Sequence, residues 1–243
     1  MNSSLKGLTA VITGASAGIG QSIAVALSRE GCRVALLARR EDLLQDIKKE
    51  CSDAGAEEVL AIRCDVSSDE EVHAAVAEVN TKFGQVNILV NNAGVGGGGN
   101  ILTSNWEDID RIIMVNLRGL MLVTHSFLPL MKDTGRGHII NIGSIAGKLP
   151  MGLTTSYCAS KHGVIGFSKS LFEDVRELNI KVNVVNPGYV RTSMADIVPN
   201  TSPEKFIQTS DIAETILFLC KFPTTGCPVE IDIRPQFSPY VQS

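Results

Sequence analysis

The sequence predicts an α/β fold: one doubly wound sheet of seven parallel strands with helices on both faces. Three observations carry this. Short apolar runs alternate with amphipathic stretches along the chain. A glycine-rich turn joins the first run to the first amphipathic stretch, and no linker, internal repeat or low-complexity segment divides the rest apart from the loop Gly96-Gly97-Gly98-Gly99. With 243 residues, 44% hydrophobic and 20% charged, the chain can bury one substantial core, so a single domain over residues 1–243 is expected.

Strands are expected at residues 8–12, 33–38, 59–64, 86–90, 138–142, 181–185 and 229–233. These runs are almost continuously apolar, as they must be when helices cover both faces of a parallel sheet. The first helix is entered at Ile23-Ala24-Val25-Ala26-Leu27. A charged amphipathic helix is expected at 41–54 and another at 68–83. One long helix at 105–132 carries Pro129 near its end, a second long one covers 155–178, and the last lies at 211–222. One stretch breaks the rhythm. Residues 192–209 are polar, hold Pro199 and Pro203, and follow the carboxyl end of a strand, where doubly wound folds place ligands. They are the expected lid.

Charge excludes some partners. The formal net charge is −4 and the pI near 5.6, with no cluster of basic residues to track a phosphate backbone, so no nucleic acid is expected and the partner is read as a small molecule. The first seven residues lack the apolar core of a signal peptide, and no uncharged run reaches the roughly eighteen residues of a membrane span. A cytoplasmic protein with no membrane partner is the expectation. Asn2-Ser3-Ser4 and Asn200-Thr201-Ser202 fit the glycosylation pattern and are read as chance matches. Cys32, Cys51, Cys64, Cys158, Cys220 and Cys227 show no C-x-x-C pairing and read as reduced thiols. His73, His125, His138 and His162 are scattered without ligand spacing, so no metal is expected.

The chemistry lies in the turns. Thr13-Gly14-Ala15-Ser16-Ala17-Gly18-Ile19-Gly20 sits between strand and helix, where glycines let backbone N–H groups approach a pyrophosphate and the helix amino end adds positive potential. A ligand-free tight turn would also use glycine, and the spacing is Gly-x-x-x-Gly-x-Gly rather than Gly-x-Gly-x-x-Gly. In Tyr157-Cys158-Ala159-Ser160-Lys161 a phenol and an ammonium lie four residues apart, on one face of a helix. A nearby cation favours the phenolate and would bring a tyrosine, ordinarily titrating near 10, toward a working range. The plain alternative is a packed helix face. Ser144 follows the strand at 138–142 and could bond a substrate carbonyl beside the phenol, or be an ordinary turn serine. Asn116, a mediocre helix former between Met114-Val115 and Leu117, is expected to be buried inside its helix.

Taken together, the glycine turn, Asn91-Asn92-Ala93-Gly94, Asn116, Ser144, Tyr157-x-x-x-Lys161 and Pro187-Gly188 resemble the short-chain dehydrogenase/reductase family in identity, order and spacing over nearly the whole chain. The resemblance implies a Rossmann-type domain with an Asn-Ser-Tyr-Lys tetrad. Tyr157 would be the general acid or base and Ser144 would hold the reacting oxygen. Lys161 would bind the nicotinamide ribose and lower the Tyr157 pKa, and Asn116 would anchor a water linking Lys161 to solvent. On the cofactor, the resemblance places Gly14, Ser16, Ala17, Gly18, Ile19 and Gly20 at the pyrophosphate, Asp65 and Val66 at the adenine ring, and Asn92, Ala93 and Gly94 at the adenine ribose. Pro187, Gly188, Val190 and Thr192 would meet the nicotinamide.

Cofactor choice follows from charge at the end of the second strand. A carboxylate there accepts both ribose hydroxyls and repels a 2′-phosphate, but this chain has Ala38, followed by Arg39 and Arg40. Guanidinium groups match phosphate geometry, so NADP(H) is expected, with Arg39 as the main contact. Many NADP-preferring relatives add a basic residue where this chain has Ala17, leaving Ser16 as helper. The alternative is that both arginines merely begin a solvated helix.

The implied reaction is reversible reduction of a ketone or aldehyde to an alcohol. Ile145, Leu149, Met151, Leu153, Tyr189 and Met194 suggest an apolar pocket, with Lys148 and Arg191 the two bases that could meet a carboxylate. The ending Val229-Glu230-Ile231-Asp232-Ile233-Arg234-Pro235-Gln236 lacks the Asp-Gly-Gly of oxoacyl-carrier reductases and looks more like the 3-hydroxy acid and serine dehydrogenase branch. A 3-oxoacyl reductase stays open, as does a non-catalytic NADP-binding regulatory protein, though the intact tetrad argues against the latter. An epimerase or dehydratase acting on nucleotide sugars would need a longer substrate domain. The long helices at 105–132 and 155–178 carry more apolar surface than one buried stripe needs, so a homodimer or homotetramer is expected.

Overall fold

In the computed structural model, which describes residues 4–194 and 201–240, seven strands form one all-parallel sheet. They are β1 (Thr9–Thr13), β2 (Arg33–Ala38), β3 (Glu58–Arg63), β4 (Ile88–Asn91), β5 (Gly137–Ile142), β6 (Ile180–Pro187) and β7 (Glu230–Ile233). Their order in space is β3-β2-β1-β4-β5-β6-β7. The winding direction therefore reverses between β1 and β4, and a crevice opens beyond their carboxyl ends.

Alternate residues of each strand feed two separate cores. On one face Ala10, Ile12, Val34 and Leu36 pack against α1 (Gly18–Arg29), through Ala24 and Leu27, and α2 (Glu41–Ala54), through Leu44 and Ile47. On the other face Val11, Ala35, Leu37 and Leu89 meet Val72, Ala75 and Val79 of α3 (Asp69–Phe83). Burying each such aliphatic side chain contributes about 1.5–3 kcal/mol, which is why strands with no polar face are stable here.

The predicted long helix at 105–132 is divided. It runs as α4 (Trp106–Ile113), a π-helical segment Met114–Gly119, α5 (Leu120–Phe127), and a 3-10 turn Leu128–Leu130 that holds Pro129. Asn105 caps its start by accepting the Asp108 N–H at 2.8 Å. Gly119 passes so close to β3's following turn that a Cβ would sit 2.8 Å from the Val66 carbonyl oxygen. The π segment is centred on Asn116, and such insertions re-aim side chains at functional sites. By length and composition the stretch Trp106–Leu130 could cross a membrane, but in this fold Ile112, Val115, Leu120, Val123 and Phe127 are buried within the protein.

The second long helix is α6 (Thr155–Val175), continued by a 3-10 turn Arg176–Leu178, and α7 (Thr209–Lys221) packs through Ile216 and Leu219 beside α1. A line of buried polar groups ties α5 and α6 to the sheet. Asn91 Nδ2 donates to Thr124 Oγ1 at 2.9 Å and to Asn141 Oδ1 at 2.8 Å, and Asn141 Nδ2 donates to Ser168 Oγ at 2.8 Å.

Candidate active site

The glycine turn, the Asn91-Asn92-Ala93-Gly94 segment and the turn after β5 all lie at the carboxyl edge of the sheet. Gly18 adopts φ +59, which only glycine takes without strain, and Gly20 has no room for a side chain because a Cβ would sit 2.3 Å from the Gly14 carbonyl oxygen. Ala17 precedes α1 with no side-chain cap, and no acidic residue occupies the first turn. The amino end of α1 thus keeps backbone donors for an anion.

Asn92 braces this turn. Its Nδ2 donates to the carbonyls of Thr13 at 3.0 Å and Gly14 at 3.1 Å, while the Thr13 hydroxyl accepts the N–H groups of Asn92 and Ala93, each at 3.0 Å. Thr13, read in the sequence as the first residue of the glycine turn, is the last residue of β1, and its hydroxyl had been given no role. Across the crevice, a Cβ on Gly18 would lie 3.2 Å from Thr192 Cγ2. Val190 is buried with Ile207 and Ile212, and Thr192 Oγ1 donates to the Val190 carbonyl at 3.4 Å. The lid expected at 192–209 is described only at its two flanks; residues 195–200 lie outside the described residues.

The two arginines diverge. Arg40 donates to Ser16 Oγ from Nη2 at 2.9 Å and from Nε at 3.3 Å, so a cation stands beside the glycine turn although Ala17 supplies none. Among the described residues, Arg39 makes only a long pair with the half-buried Asp65 at 3.8 Å and is itself exposed. Burial pushes the Asp65 carboxyl up, but hydrogen bonds from Ser67 and the charges of Arg39 and Arg63 outweigh it and leave its pKa lowered.

Ser144, Tyr157 and Lys161 come together between β5 and the start of α6. Ser144 caps a 3-10 turn (Ile145–Gly147), accepting the Ala146 N–H at 3.1 Å, and its side chain stands near enough to the Tyr157 phenol to favour the ionised form. Lys161 is buried, donates to the Ile142 carbonyl at 2.8 Å, and holds Nζ 5.8 Å from the Tyr157 ring centre. The expected lowering of the phenol's pKa is not what this arrangement gives. Burial raises the Tyr157 pKa, and the neighbouring Ser144 side chain, which favours the ionised form, only partly offsets that rise. The same burial pushes the Lys161 ammonium down to about 8.

Asn116 is buried, as expected. Its Oδ1 accepts the Val95 N–H at 2.8 Å, and its Nδ2 donates to the Val95 carbonyl at 2.9 Å and to Ser160 Oγ at 3.2 Å. Ser160 in turn donates to the Tyr157 carbonyl at 2.7 Å. Ser160, unremarked in the sequence, therefore joins Asn116 to the helix turn that bears the phenol.

A doubly wound sheet, an uncapped glycine turn at its switch point and a Ser-Tyr-Lys group beside it define a nucleotide-binding oxidoreductase. The profile of the short chain dehydrogenase family matches residues 8–202, and the chain belongs to that family. It is similar to a putative ketoacyl reductase of Streptomyces coelicolor, with 38% identity over 86% of this chain and 88% of the relative. It is also similar to carbonyl reductase family member 4 of Xenopus laevis, with 35% identity over 91% of this chain and 94% of the relative. Among solved structures, a metagenomic short-chain oxidoreductase in complex with NADP superposes with a TM-score of 0.83 at 37% identity, covering 97% of this chain and 100% of the other. A variant of actinorhodin polyketide ketoreductase with NADPH gives a TM-score of 0.87 at 35% identity, covering 94% and 96%.

Proposed function

We propose that this chain is an NADP(H)-dependent oxidoreductase that interconverts a ketone or aldehyde and the corresponding alcohol, with Tyr157 as general acid and base. The observation that carries the reading is the convergence of Ser144, Tyr157 and the buried Lys161 ammonium after β5, with Lys161 Nζ 5.8 Å from the Tyr157 ring centre and bonded to the Ile142 carbonyl. The residues present fit the dinucleotide. The amino end of α1 leaves donors free for a pyrophosphate, Arg40 stands on Ser16, and Arg39 is held only by an exposed pair that can give way to a 2′-phosphate. The relatives solved with NADP and NADPH support the same choice.

When bound, the nicotinamide supplies or takes up the hydride. The chain's own residues handle the oxygen and its proton. Ser144 and Tyr157 donate to the carbonyl oxygen, so charge developing there meets two fixed donors. Tyr157 gives up its proton as the alcohol forms and takes it back in the reverse direction. Lys161 holds the nicotinamide ribose and stabilises the phenolate, and Asn116 supports a water that returns the proton from solvent. Asp65 and Val66 would hold the adenine, and Pro187, Gly188, Val190 and Thr192 would hold the nicotinamide. Residues 192–209 act as the lid over the substrate.

The names of the relatives favour a 3-oxoacyl thioester or a simple carbonyl compound as substrate. Lys148, one of the two bases considered for a substrate carboxylate, is committed to Asp232 and Glu230, which weakens the 3-hydroxy acid reading. The test is NADPH consumption against 3-oxo acids, 3-oxoacyl thioesters, aromatic ketones and steroids, repeated with NADH. No turnover with any carbonyl would overturn the proposal.

The chain acts as a homodimer or homotetramer in this reading. An apolar groove of about 550 Å³ between α5 and α6 is lined by Leu117, Met121, Leu122, Leu128 and Phe167, and the helices leave Met121 exposed. Light scattering at the monomer mass would refute it.

A further inference from the structure

A second polar cluster lies behind Ser144, on the edge strand β7. Asn186 is paired with Asp232 in the β6–β7 register, and Glu230, two residues away, shares that face. Asn186 is fully buried, and its Nδ2 donates to Glu230 Oε1 and Asp232 Oδ1, each at 3.0 Å. Only the amide NH₂ can face two carboxylates, so Oδ1 is turned the other way, where it has no hydrogen-bond partner among the described residues. It abuts Gly143, the residue before Ser144, so closely that a Cβ there would lie 2.1 Å from it.

The same carboxylates reach the far end of the Ser144 turn. Lys148 Nζ lies 2.5 Å from Asp232 Oδ2 and 3.2 Å from Glu230 Oε1, and Lys169 closes the group at 2.6 Å from Glu230 Oε2. Two ammonium groups thus balance two carboxylates. The 3-10 turn between these anchors is three residues long, and its bonds are local: Ala146 N–H to Ser144 Oγ at 3.1 Å, Gly147 N–H to the Ser144 carbonyl at 2.9 Å, and Lys148 and Leu149 N–H to the Ile145 carbonyl, each at 3.0 Å. Its middle packs on α6, where a Cβ on Gly147 would lie 2.7 Å from the Lys161 carbonyl oxygen, and its two ends complete its placement.

We propose that Asn186, Asp232, Glu230 and Lys148 are positioning residues for the reaction: they grip the segment from Gly143 to Lys148 at both ends and so hold the Ser144 hydroxyl against Tyr157. This rests on the function proposed above. Exposed ion pairs contribute little to stability, so the effect of this cluster is geometric. Displacing a catalytic group by about 1 Å costs on the order of 100-fold in rate.

The groups facing the Tyr157 phenol are Ser144 from this turn and Lys161 and Cys158 from its own helix. Ser144 favours the ionised phenol, so a loosened turn moves phenol ionisation to higher pH. In Lys148→Met, oxidation of the alcohol product by NADP is expected to lose about 10–100-fold in kcat. The rising limb of its pH profile should move upward, with NADPH affinity and the melting temperature close to the parent's, and Lys148→Arg should restore both rate and limb. Should Lys148→Met fail to fold, Asp232→Asn is expected to move the limb in the same direction. A parent-like rate, or a lost rate with an unmoved limb, overturns the proposal. Ser144→Ala separates the two readings: if it keeps full turnover, the role assigned to Ser144 itself falls. If it loses turnover while Lys148→Met and Asp232→Asn leave the limb in place, only the positioning role falls.

Discussion

Lys161 Nζ lies 5.8 Å from the centre of the Tyr157 ring while its hydrogen bond goes to the Ile142 carbonyl at 2.8 Å. The ammonium flanks the phenol without bonding its oxygen. Burial therefore dominates, and the Tyr157 pKa is raised. A neutral phenol is the form that can donate a proton to a carbonyl oxygen, which is the role the proposed reduction assigns to Tyr157.

Tyr157→Phe removes that proton and should lower kcat about 10²–10⁴-fold, with NADPH binding, followed by nicotinamide fluorescence, retained. Ser144→Ala, which removes one donor to the developing charge, should cost about 10²–10³-fold. Full turnover in Tyr157→Phe would end the assignment.

Cofactor preference should rest on both arginines. A charge-assisted hydrogen bond is worth about 1.5–3 kcal/mol, so Arg39→Ala and Arg40→Ala should each lower kcat/KM for NADPH roughly 10–100-fold while leaving NADH little changed. Measuring both nucleotides in both variants checks this, and equal losses with NADH would mean the arginines do not read the 2′-phosphate.

Lys161 should make stability depend on alkaline pH. Its ammonium titrates near 8 in the folded chain because burial disfavours the charge, against an ordinary value of 10.5. Below pH 8 both states are protonated and the cost is carried in full. Between 8 and 10.5 only the unfolded chain keeps the proton, so stability rises with pH, by about 3 kcal/mol in all. Urea unfolding of the parent and Lys161→Met at pH 7.5 and 10 should show the rise in the parent alone.

His138 acts at the other end of the scale. It is buried against Asn183, with Lys181 and Arg136 nearby, and burial foremost pushes its pKa down to about 4 from 6.5. As pH falls from 6.5 to 4 the unfolded chain takes a proton that the folded chain refuses, so stability falls, by about 3 kcal/mol. His138→Gln should flatten this part of the acid-unfolding curve; an unchanged slope would assign it to the carboxylates.

Much of this was legible in the sequence. All seven strands lie where apolar runs placed them, because a parallel sheet covered on both faces writes itself as short uninterrupted Val, Ile and Leu segments. The division of the helix at 105–132 was not legible. Nothing in its spacing announces a π insertion, and Asn116 between apolar neighbours was read only as a buried residue of one continuous helix. The nearness of Ser144 to Tyr157 followed from motif order, whereas the raised phenol pKa depends on how deeply the fold buries the ring. Asn186 and its two carboxylates become a unit only once β6 and β7 are in register, a pairing that local sequence does not specify.

The buried chain of Thr124, Asn91, Asn141 and Ser168 sets a rule for anyone redesigning this interior. Changing one member to an aliphatic residue would strand its neighbour's donor or acceptor in a dry environment, at about 1–3 kcal/mol. Only a concerted exchange could make the core wholly greasy, and that would cut the rungs spacing the two helices that carry Asn116's neighbourhood and Lys161. Heat resistance gained by that route should arrive with a catalytic centre out of alignment.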